Sequence, residues 1–253
     1  TAHLAGEDAA NYALTGATTE YSIAARAVTV TVQAASSVYG EDLAALAAKV
    51  TSGEVLEGDG VVYELSVNAA KGSPVGAYDV AGKALDDNYA VTFEGGTDAY
   101  TITARPVTVT IDNQSSVYGD ELEELTARLT AGTYAPEEGY ADLGVQLTKE
   151  EGVNAGTYAI TGVSANPNYK VTFTNGEYEI VSRKVTVSVA DVNAVYGDAE
   201  RALSMALAEG TSLGYQDTLN DLLTLTREAG TDAGVYKMDV AGRAGFERFL
   251  STI

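Results

Sequence analysis

Alternation between apolar and polar residues is the dominant pattern of the chain. The stretch "VTVTI" from Val107 to Ile111 places its aliphatic side chains on one face and its threonines on the other. This period of two is typical of a strand with one buried face. Similar short runs follow one another, and turn-favouring glycine and asparagine residues separate them. The pattern predicts a mainly β protein built from short strands.

The runs return in the same order at a fixed interval. The word "SSVYG" stands at residues 36–40 and 115–119, and "NAVYG" at 193–197, so that their tyrosines lie 79 and 78 residues apart. The words "RxVTV", "GxY" and "xYxI" keep the same step. An interval of about 80 residues exceeds a solenoid rung and fits a small domain that buries its own core. We therefore predict a tandem array of one domain.

The phase of these words divides the chain into four parts. Residues 1–25 correspond to the C-terminal fragment of a preceding repeat, and residues 26–104 and 105–182 form complete repeats. Residues 183–253 correspond to a repeat without its last strand, because Ile253 aligns with a residue that precedes the final "GxYxI" word. For each repeat we predict a small, mainly antiparallel β domain, which is either a sandwich or a half-open sheet.

The period changes once in each repeat, directly after the "VYG" word. Leu122, Leu125 and Leu129 are spaced at i, i+3 and i+7, which is a helical spacing. Acidic residues stand just before them, where the N-terminus of a helix favours negative charge. The first repeat has the same spacing in Leu43, Leu46 and Val50. We therefore predict one short helix in each repeat.

The junctions between repeats are short. In "YTITARPVTVTI" from Tyr100 and "YEIVSRKVTVSV" from Tyr178, the last strand of one repeat leads almost directly into the first strand of the next. A flexible tether would need a Gly/Ser tract, and Pro106 stiffens the first junction further. We predict that the repeats form a monomeric rod in which each repeat contacts its neighbours in the same chain.

Composition narrows the choice of partners. Lys and Arg number 15 against 36 Asp and Glu, and the resulting formal charge of −21 disfavours nucleic acid and anionic membranes. The absence of cysteine excludes disulfides, thiolate metal sites and a cysteine nucleophile. The sequence has no apolar run long enough for membrane insertion, and residues 1–20 do not resemble a signal peptide.

The hydroxyl groups of the "SSVYG" word are the first candidates for chemistry. Ser115, Ser116 and Tyr118 would need a positioned base, and the only histidine is His3 in the leading fragment. We therefore predict no catalytic site and interpret the word as a backbone corner. Gly119 would supply a positive φ there, and the tyrosine hydroxyl would reach a backbone partner.

Acidic groups and lysines are the next candidates. Three acidic groups could bind Ca²⁺: Asp86 to Asn88, Glu57 with Asp59, and Glu150 with Glu151. They do not recur at equivalent positions of the repeats, so we interpret them as solvated surface. We therefore predict no metal or cofactor. A Lys–Asn cross-link would need a buried lysine in every repeat. However, Lys149 has Arg227 and Ala69 as counterparts, and Lys170 has Ala90.

Tyrosines outside the repeated words could form a carbohydrate-binding patch, although single surface tyrosines usually have no such role. These are Tyr63, Tyr134, Tyr140 and Tyr215. The chain has no tryptophan, and most other tyrosines recur at core positions. We therefore predict no site residue from this group, and a glycan or protein ligand remains unidentified.

The second repeat carries, in order, "RPVTVTI", "SVYGDE", "LTKEEGVNAGTYAI", "NPNYKVTF" and "GEYEI". These words resemble the MBG-type tandem domain, which is close to the YDG-type repeats of large bacterial surface proteins and fibrillar adhesins. The first repeat departs from the pattern in "LSVNAAKGSPVGAY", and the last ends in "FERFLSTI". The resemblance implies a stalk that projects a distal binding domain from a cell surface or cell wall, without catalysis. The alternative is an extracellular binding module for a glycan or a host protein.

Overall fold

The computed structural model describes residues 3–16 and 20–243, and the chain divides between Thr103 and Ala104 into two compact units. The described residues contain nineteen strands: β1 (Arg26–Val32), β2 (Ala35–Val38), β3 (Ala48–Gly53), β4 (Tyr63–Val67), β5 (Gly76–Tyr78), β6 (Val80–Ala84), β7 (Tyr89–Glu94), β8 (Tyr100–Thr103), β9 (Arg105–Ile111), β10 (Gln114–Val117), β11 (Ala127–Ala131), β12 (Val145–Lys149), β13 (Gly156–Ser164), β14 (Tyr169–Thr174), β15 (Gly176–Val181), β16 (Val187–Val189), β17 (Met205–Leu207), β18 (Leu223–Arg227) and β19 (Met238–Gly242). The helical segments are 3-10 turns at Ala9–Asn11 and Tyr140–Leu143 and the helix α1 at Leu219–Leu222.

The second repeat is a sandwich of two sheets. One sheet has the strand order β11-β9-β14, and the other has the order β10-β15-β13-β12. Ile111 of β9 packs against Ile160, Tyr178 and Ile180 of the opposite sheet, and all four side chains are buried. The prediction left a sandwich and a half-open sheet open, and these contacts show the sandwich.

The first repeat has the same strand arrangement in its own unit. Its sheets have the orders β3-β1-β7, β2-β8-β5 and β4-β6. The two short strands β5 and β6 together correspond to the single long strand β13 of the second repeat. Alternating burial along β1 again places Val28, Val30 and Val32 in the core. The mainly β class is therefore confirmed in both complete repeats.

Two segments run in parallel along the whole length of the second repeat. Strand β9 pairs in parallel with β14, starting with Arg105 opposite Tyr169. With the same sequence offset, β10 pairs in parallel with β15 and ends with Val117 opposite Val181. We call the segments 105–117 and 169–181 the parallel ribbons. Each ribbon begins in one sheet and crosses into the other.

The parallel ribbons place the entry and exit of the chain at opposite ends of the repeat. Strand β13 runs back antiparallel to β15, with its first residue Gly156 opposite Ile180, and a short loop then leads into β14. Because β13 spans the repeat in one direction, β14 and β15 together span it in the other. The chain therefore enters beside Arg105 and leaves beside Val181.

The strand pairing is more mixed than the sequence predicts. Among the described residues, eight strand pairs are antiparallel and four are parallel. Mainly antiparallel sheets are thus correct, but the pairs β1–β7, β2–β8, β9–β14 and β10–β15 are parallel. Alternation reveals which face of a strand is buried and carries no information on the direction of its neighbour.

The predicted position of the helix is wrong. No helix spans Leu122 to Leu129, because the second half of this stretch is strand β11 and pairs with β9. The preceding backbone is bonded to the core instead, since the Glu123 N–H donates to the Tyr178 hydroxyl at 2.7 Å. The first repeat does the same from Ala44 to Tyr100, also at 2.7 Å. Of the three leucines, Leu125 packs partly buried against the core, whereas Leu122 is exposed. Tertiary contacts rather than the helical spacing therefore decide the conformation.

The third repeat is described through residue 243, with the two-stranded sheets β16–β17 and β18–β19. The predicted missing strand concerns the alignment of Ile253, which lies outside the described residues. In the leading fragment, residues 20–25 form no strand, and Tyr21 is 91% exposed. Within residues 3–16 and 20–243, no helix combines the length and apolar character that crossing a bilayer requires.

Candidate functional site: the VYG junction

The arginine that opens each "RxVTV" word contacts a loop of its own repeat. Each guanidinium donates to one side chain in the segment that follows β3, β11 or β17. The distances are 2.6 Å from Arg26 to Glu54, 3.0 Å from Arg105 to Thr133 and 3.2 Å from Arg183 to Ser212. The five N–H donors of an arginine can satisfy several acceptors at once. The repeated arginine therefore fixes the entry end of each repeat.

The "VYG" word forms a turn at the exit end. Gly119 has a φ of +85°, and Gly40 and Gly197 also have positive φ values. The prediction that glycine provides this conformation is confirmed, because a side chain disfavours it. The Tyr118 N–H donates to the Val181 carbonyl oxygen at 2.9 Å, which extends the pairing of the parallel ribbons into the turn.

Tyr118 connects the second repeat to the third. Its ring packs against the core of its own repeat, while its hydroxyl donates to the Asp217 carboxylate at 3.0 Å. The ring also meets that of Tyr215 edge to face, with centroids 5.1 Å apart. The sequence predicts a backbone partner for this hydroxyl, and the partner described here is a carboxylate of the next repeat. The Tyr178 hydroxyl bonds to the backbone, at the Glu123 N–H.

The two backbones touch at a pair of glycines. A Cβ atom on Gly119 would lie 2.3 Å from the Cα atom of Gly214 in the third repeat. A Cβ atom on Gly214 would in turn lie 2.9 Å from the Tyr118 ring. Since real Cβ atoms do not approach neighbours so closely, the contact requires glycine on both sides.

Arg183 completes the contact between the repeats. Its Nε donates to the Tyr118 carbonyl oxygen at 2.7 Å, and a terminal nitrogen forms an ion pair with Asp120. The arginine side chain is only 18% exposed, so its hydrogen bonds are better shielded from solvent than those of a surface ion pair. We call this group the VYG junction; it comprises Tyr118, Gly119, Asp120, Arg183, Gly214, Tyr215 and Asp217.

The surroundings of Tyr118 favour its neutral form. Burial raises the pKa of the Tyr118 hydroxyl, and the hydrogen bond to the negatively charged Asp217 raises this pKa further. Tyr215 has a φ of +47°, which is uncommon for a residue with a side chain. The equivalent loop position has Gly58 in the first repeat and Glu137 in the second, both with positive φ.

The serines of the "SSVYG" word are not grouped with any base. Ser115 is exposed on β10, and the Ser116 hydroxyl is buried without a hydrogen-bond partner among the described residues. The Ser37 hydroxyl of the first repeat is in the same situation. His3 is exposed in the leading fragment. The structure thus does not bring the candidate hydroxyls and the histidine together.

Lys149 has a local role in a turn. Its ammonium donates to the carbonyl oxygens of Glu150 and Gly152, each at 2.7 Å, and lies 4.1 Å from the centre of the Tyr158 ring. Arg227 makes the same contacts in the third repeat, to the carbonyl oxygens of Glu228 and Gly230 and the Tyr236 ring. A basic residue here therefore satisfies turn carbonyls, and no asparagine side chain is bonded to Lys149 in the contacts described. Lys170 is exposed on β14.

The acidic candidates make separate hydrogen bonds. Asp86 accepts from the Asn88 N–H at 2.9 Å in a turn, and Asp59 accepts from the Tyr89 hydroxyl at 2.8 Å. Glu150 accepts from the Ala159 N–H at 3.3 Å, whereas Glu57, Asp87 and Glu151 are exposed. No cluster of three or more His, Cys, Asp or Glu residues with metal-binding geometry occurs among residues 3–16 and 20–243.

The four singled-out tyrosines are not gathered into one patch in these contacts. Tyr63 donates to the Ala48 carbonyl oxygen at 2.7 Å and packs edge to face on Phe93. Tyr140 lines a groove of about 500 Å³ beside β11 and β12, together with Leu125, Thr126, Ala127, Val145 and Leu147. Burial, and then nearby Tyr134, raise the pKa of the Tyr140 hydroxyl. Only Tyr215 belongs to the VYG junction.

Sequence reasoning named Tyr118, Gly119 and Tyr215 but did not predict that they lie together in one junction. The signal for Arg183 was the basic residue that opens every "RxVTV" word, which alternation alone cannot explain. Asp217 and Gly214 gave no signal, because they lie in a loop that differs between repeats.

A family model described as the MBG domain of the YGX type matches residues 28–98 and 107–179, which make up more than half of the chain. The chain belongs to this MBG family. The matched segments fall within the two complete repeats, and each contains one "VYG" word. No curated protein and no solved structure matches the chain. MBG domains are typical of repeat-containing surface proteins.

Proposed function

We propose that this chain is a stalk segment of a bacterial cell-surface, adhesin-like protein and that it holds a distal binding domain away from the cell. The observation that carries the proposal is the course of the parallel ribbons. Each complete MBG repeat receives the chain at one end and releases it at the other. A repeat of this kind adds its own length to the array.

The VYG junction supports the same proposal. Only Ser182 separates β15 from Arg183, and the arginine bonds to both repeats. Such a junction restricts bending far more than a flexible linker of Gly and Ser would. The proposal therefore includes a monomeric, extended arrangement of repeats, an extracellular location and no catalytic role or resident cofactor.

A binding module for a glycan or a host protein is the second candidate function. The groove beside β11 and β12 favours it, because apolar side chains and the Tyr140 ring are accessible there. In the first repeat, the larger Tyr63 stands at the position of Val145 and donates across to β3. The two complete repeats therefore differ at this position, which favours a site in the second repeat over a uniform spacer surface.

A surface-display experiment tests the spacer. The 253-residue chain, in one, two or three copies, is inserted between a wall-anchored domain and a reporter domain on a bacterial cell. We expect binding of the reporter to large ligand-coated beads to rise with copy number, because each copy moves the reporter beyond surface polymers. A Gly/Ser linker with the same number of residues is the control, since a flexible chain has a much shorter average span.

Equal bead binding for all copy numbers, or equal binding with the flexible linker, would contradict the spacer function. The binding module makes a different prediction. Cells that display the chain without the reporter should then bind a glycan array or host-cell proteins, and Val145→Tyr should reduce this binding by filling the groove.

A further inference from the structure

We propose that each complete MBG repeat is built to carry tension along the chain and that the parallel ribbons are its load-bearing element. The inference rests on the proposed spacer function, because a segment that holds a bound domain away from the cell transmits the pull on that domain. The mechanical property itself follows from strand directions and registers, and it can be measured independently of any function.

Tension pulls the two ribbons of one repeat in opposite directions. In the second repeat, force enters through Arg105, at the start of one ribbon, and leaves through Val181, at the end of the other. The ribbons are direct neighbours and run in parallel, so that the applied force slides one along the other. Neither β11 nor β12 belongs to a ribbon, because both lie in the chain segment between residues 117 and 169.

Sliding puts load on all hydrogen bonds between the two ribbons at the same time. The registers join six residue pairs between β9 and β14 and four between β10 and β15. Two further bonds close the ends, from the Arg105 N–H to the Asn168 carbonyl oxygen and from the Tyr118 N–H to Val181, both at 2.9 Å. Inter-strand hydrogen bonds lie across the strand direction, and each is weak alone. Under sliding they must break as a group, whereas in peeling they break one after another.

The core adds to the resistance. Each ribbon has a fully buried inward side chain, Val109 in one and Tyr178 in the other, both at 0% exposure. Sliding by one register would move these side chains out of their packing and turn alternate residues to the wrong face. The first repeat has the same construction, with β1 parallel to β7 and β2 parallel to β8.

Single-molecule pulling on the full chain tests the inference. Since the sequence has no cysteine, handles can be attached to introduced pairs without removing any native residue of that type. One pair, Pro106→Cys with Glu179→Cys, lies at opposite ends and slides the ribbons. The matched pair, Pro106→Cys with Lys170→Cys, joins register neighbours at one end and peels them apart. All three positions are exposed.

We expect the sliding geometry to rupture at a force several-fold higher than the peeling geometry, because forced unfolding reports the barrier along the pulled direction. Equal forces, or a higher force in peeling, would overturn the load-bearing role. Urea denaturation of both double variants checks that each retains the stability of the parent chain. Failure of the surface-display experiment alongside a strong sliding response would reject the spacer function and leave the mechanical inference standing.

Discussion

The second and third repeats share their words and differ in what those words bury. Val109 of the "RxVTV" strand is fully buried in the second repeat, whereas its counterpart Val187 is only half-buried. Tyr118 packs at the VYG junction, whereas Tyr196, in the same word of the third repeat, is 74% exposed. Similar sequence therefore gives different burial within one unit of the chain.

The difference teaches which part of the repeat completes the core. Among residues 183–243 the third repeat has four strands and no counterpart of β14 or β15. Within residues 183–243, strand β16 pairs with β17. In the second repeat, Tyr178 and Ile180 of the ribbon 169–181 pack against Ile111 of the "RxVTV" strand, so this ribbon completes the core there.

The largest expected effect is in the core of the second repeat. Ile160→Ala should lower the free energy of unfolding by about 3 kcal/mol, because it creates a cavity at a fully buried site. Met238→Ala is the matched change in the third repeat, because Met238 pairs with Arg227 as Ile160 pairs with Lys149. Since Met238 is partly exposed, this change should lower the free energy of unfolding by less than about 1 kcal/mol. Hydrogen exchange of peptides from each repeat, measured along a urea series, gives the stability change of the second and third repeats separately. Similar costs at both sites would show that the two cores are equally complete.

A change at the VYG junction should have the next largest effect. Gly119→Ala places a Cβ atom against the Gly214 backbone and also strains a positive φ. Gly197→Ala imposes the same φ strain, but nothing lies within 4 Å of its Cβ position. We expect faster hydrogen exchange in residues 205–222 of the third repeat for the first variant only. If both variants act alike, backbone strain and not the contact between repeats explains the glycine.

Alkaline pH should weaken the contact made by Tyr118. Its pKa is raised in the folded state, so the hydroxyl contributes its full stability below the unfolded value of about 10, and this contribution is lost as the pH rises through the folded pKa. Tyr118→Phe removes the hydroxyl and should make the Tm decline less steeply between about pH 9 and 11. Tyr196→Phe, at an exposed position, is the control. If Tyr118→Phe leaves the decline of the Tm with pH unchanged, the hydrogen bond from Tyr118 to Asp217 does not contribute to the junction.

The smallest effect is expected at the buried serine of the same word. The Ser116 hydroxyl has no hydrogen-bond partner among the described residues, and the third repeat has Ala194 at this place. Ser116→Ala should therefore be neutral or stabilise the second repeat by up to about 1 kcal/mol. A clear loss of stability in urea denaturation would show that the hydroxyl bonds to an ordered water or another group.

Local features of the fold could be predicted from the sequence because they depend on neighbouring residues. Alternation identified the buried side of β9, and the "VYG" word identified a glycine with positive φ. The helix at Leu122 was wrong because three leucines fit both a helix face and an irregular extended segment. What decides between them is the Tyr178 hydroxyl, which lies 55 residues away in the chain.

Long-range features could not be predicted. The parallel register of β9 with β14 depends on a partner that alternation does not specify, since either direction buries the same face. The VYG junction joins Tyr118 to Asp217, a residue 99 positions away that belongs to a variable loop. The repeated words therefore predict the position of each repeat. They do not predict the contact between repeats, because the loop that makes it varies in sequence.

Spin-label distances test the parallel ribbons most directly. Labels on Pro106→Cys and Glu179→Cys should lie about 30 Å apart, because nine residues of extended strand separate position 106 from the register partner of 179, at about 3.3 Å per residue. Labels on Pro106→Cys and Lys170→Cys should instead lie close enough to broaden each other's spectrum strongly. Similar distances for the two pairs, or a short distance between positions 106 and 179, would contradict entry and exit at opposite ends of the repeat.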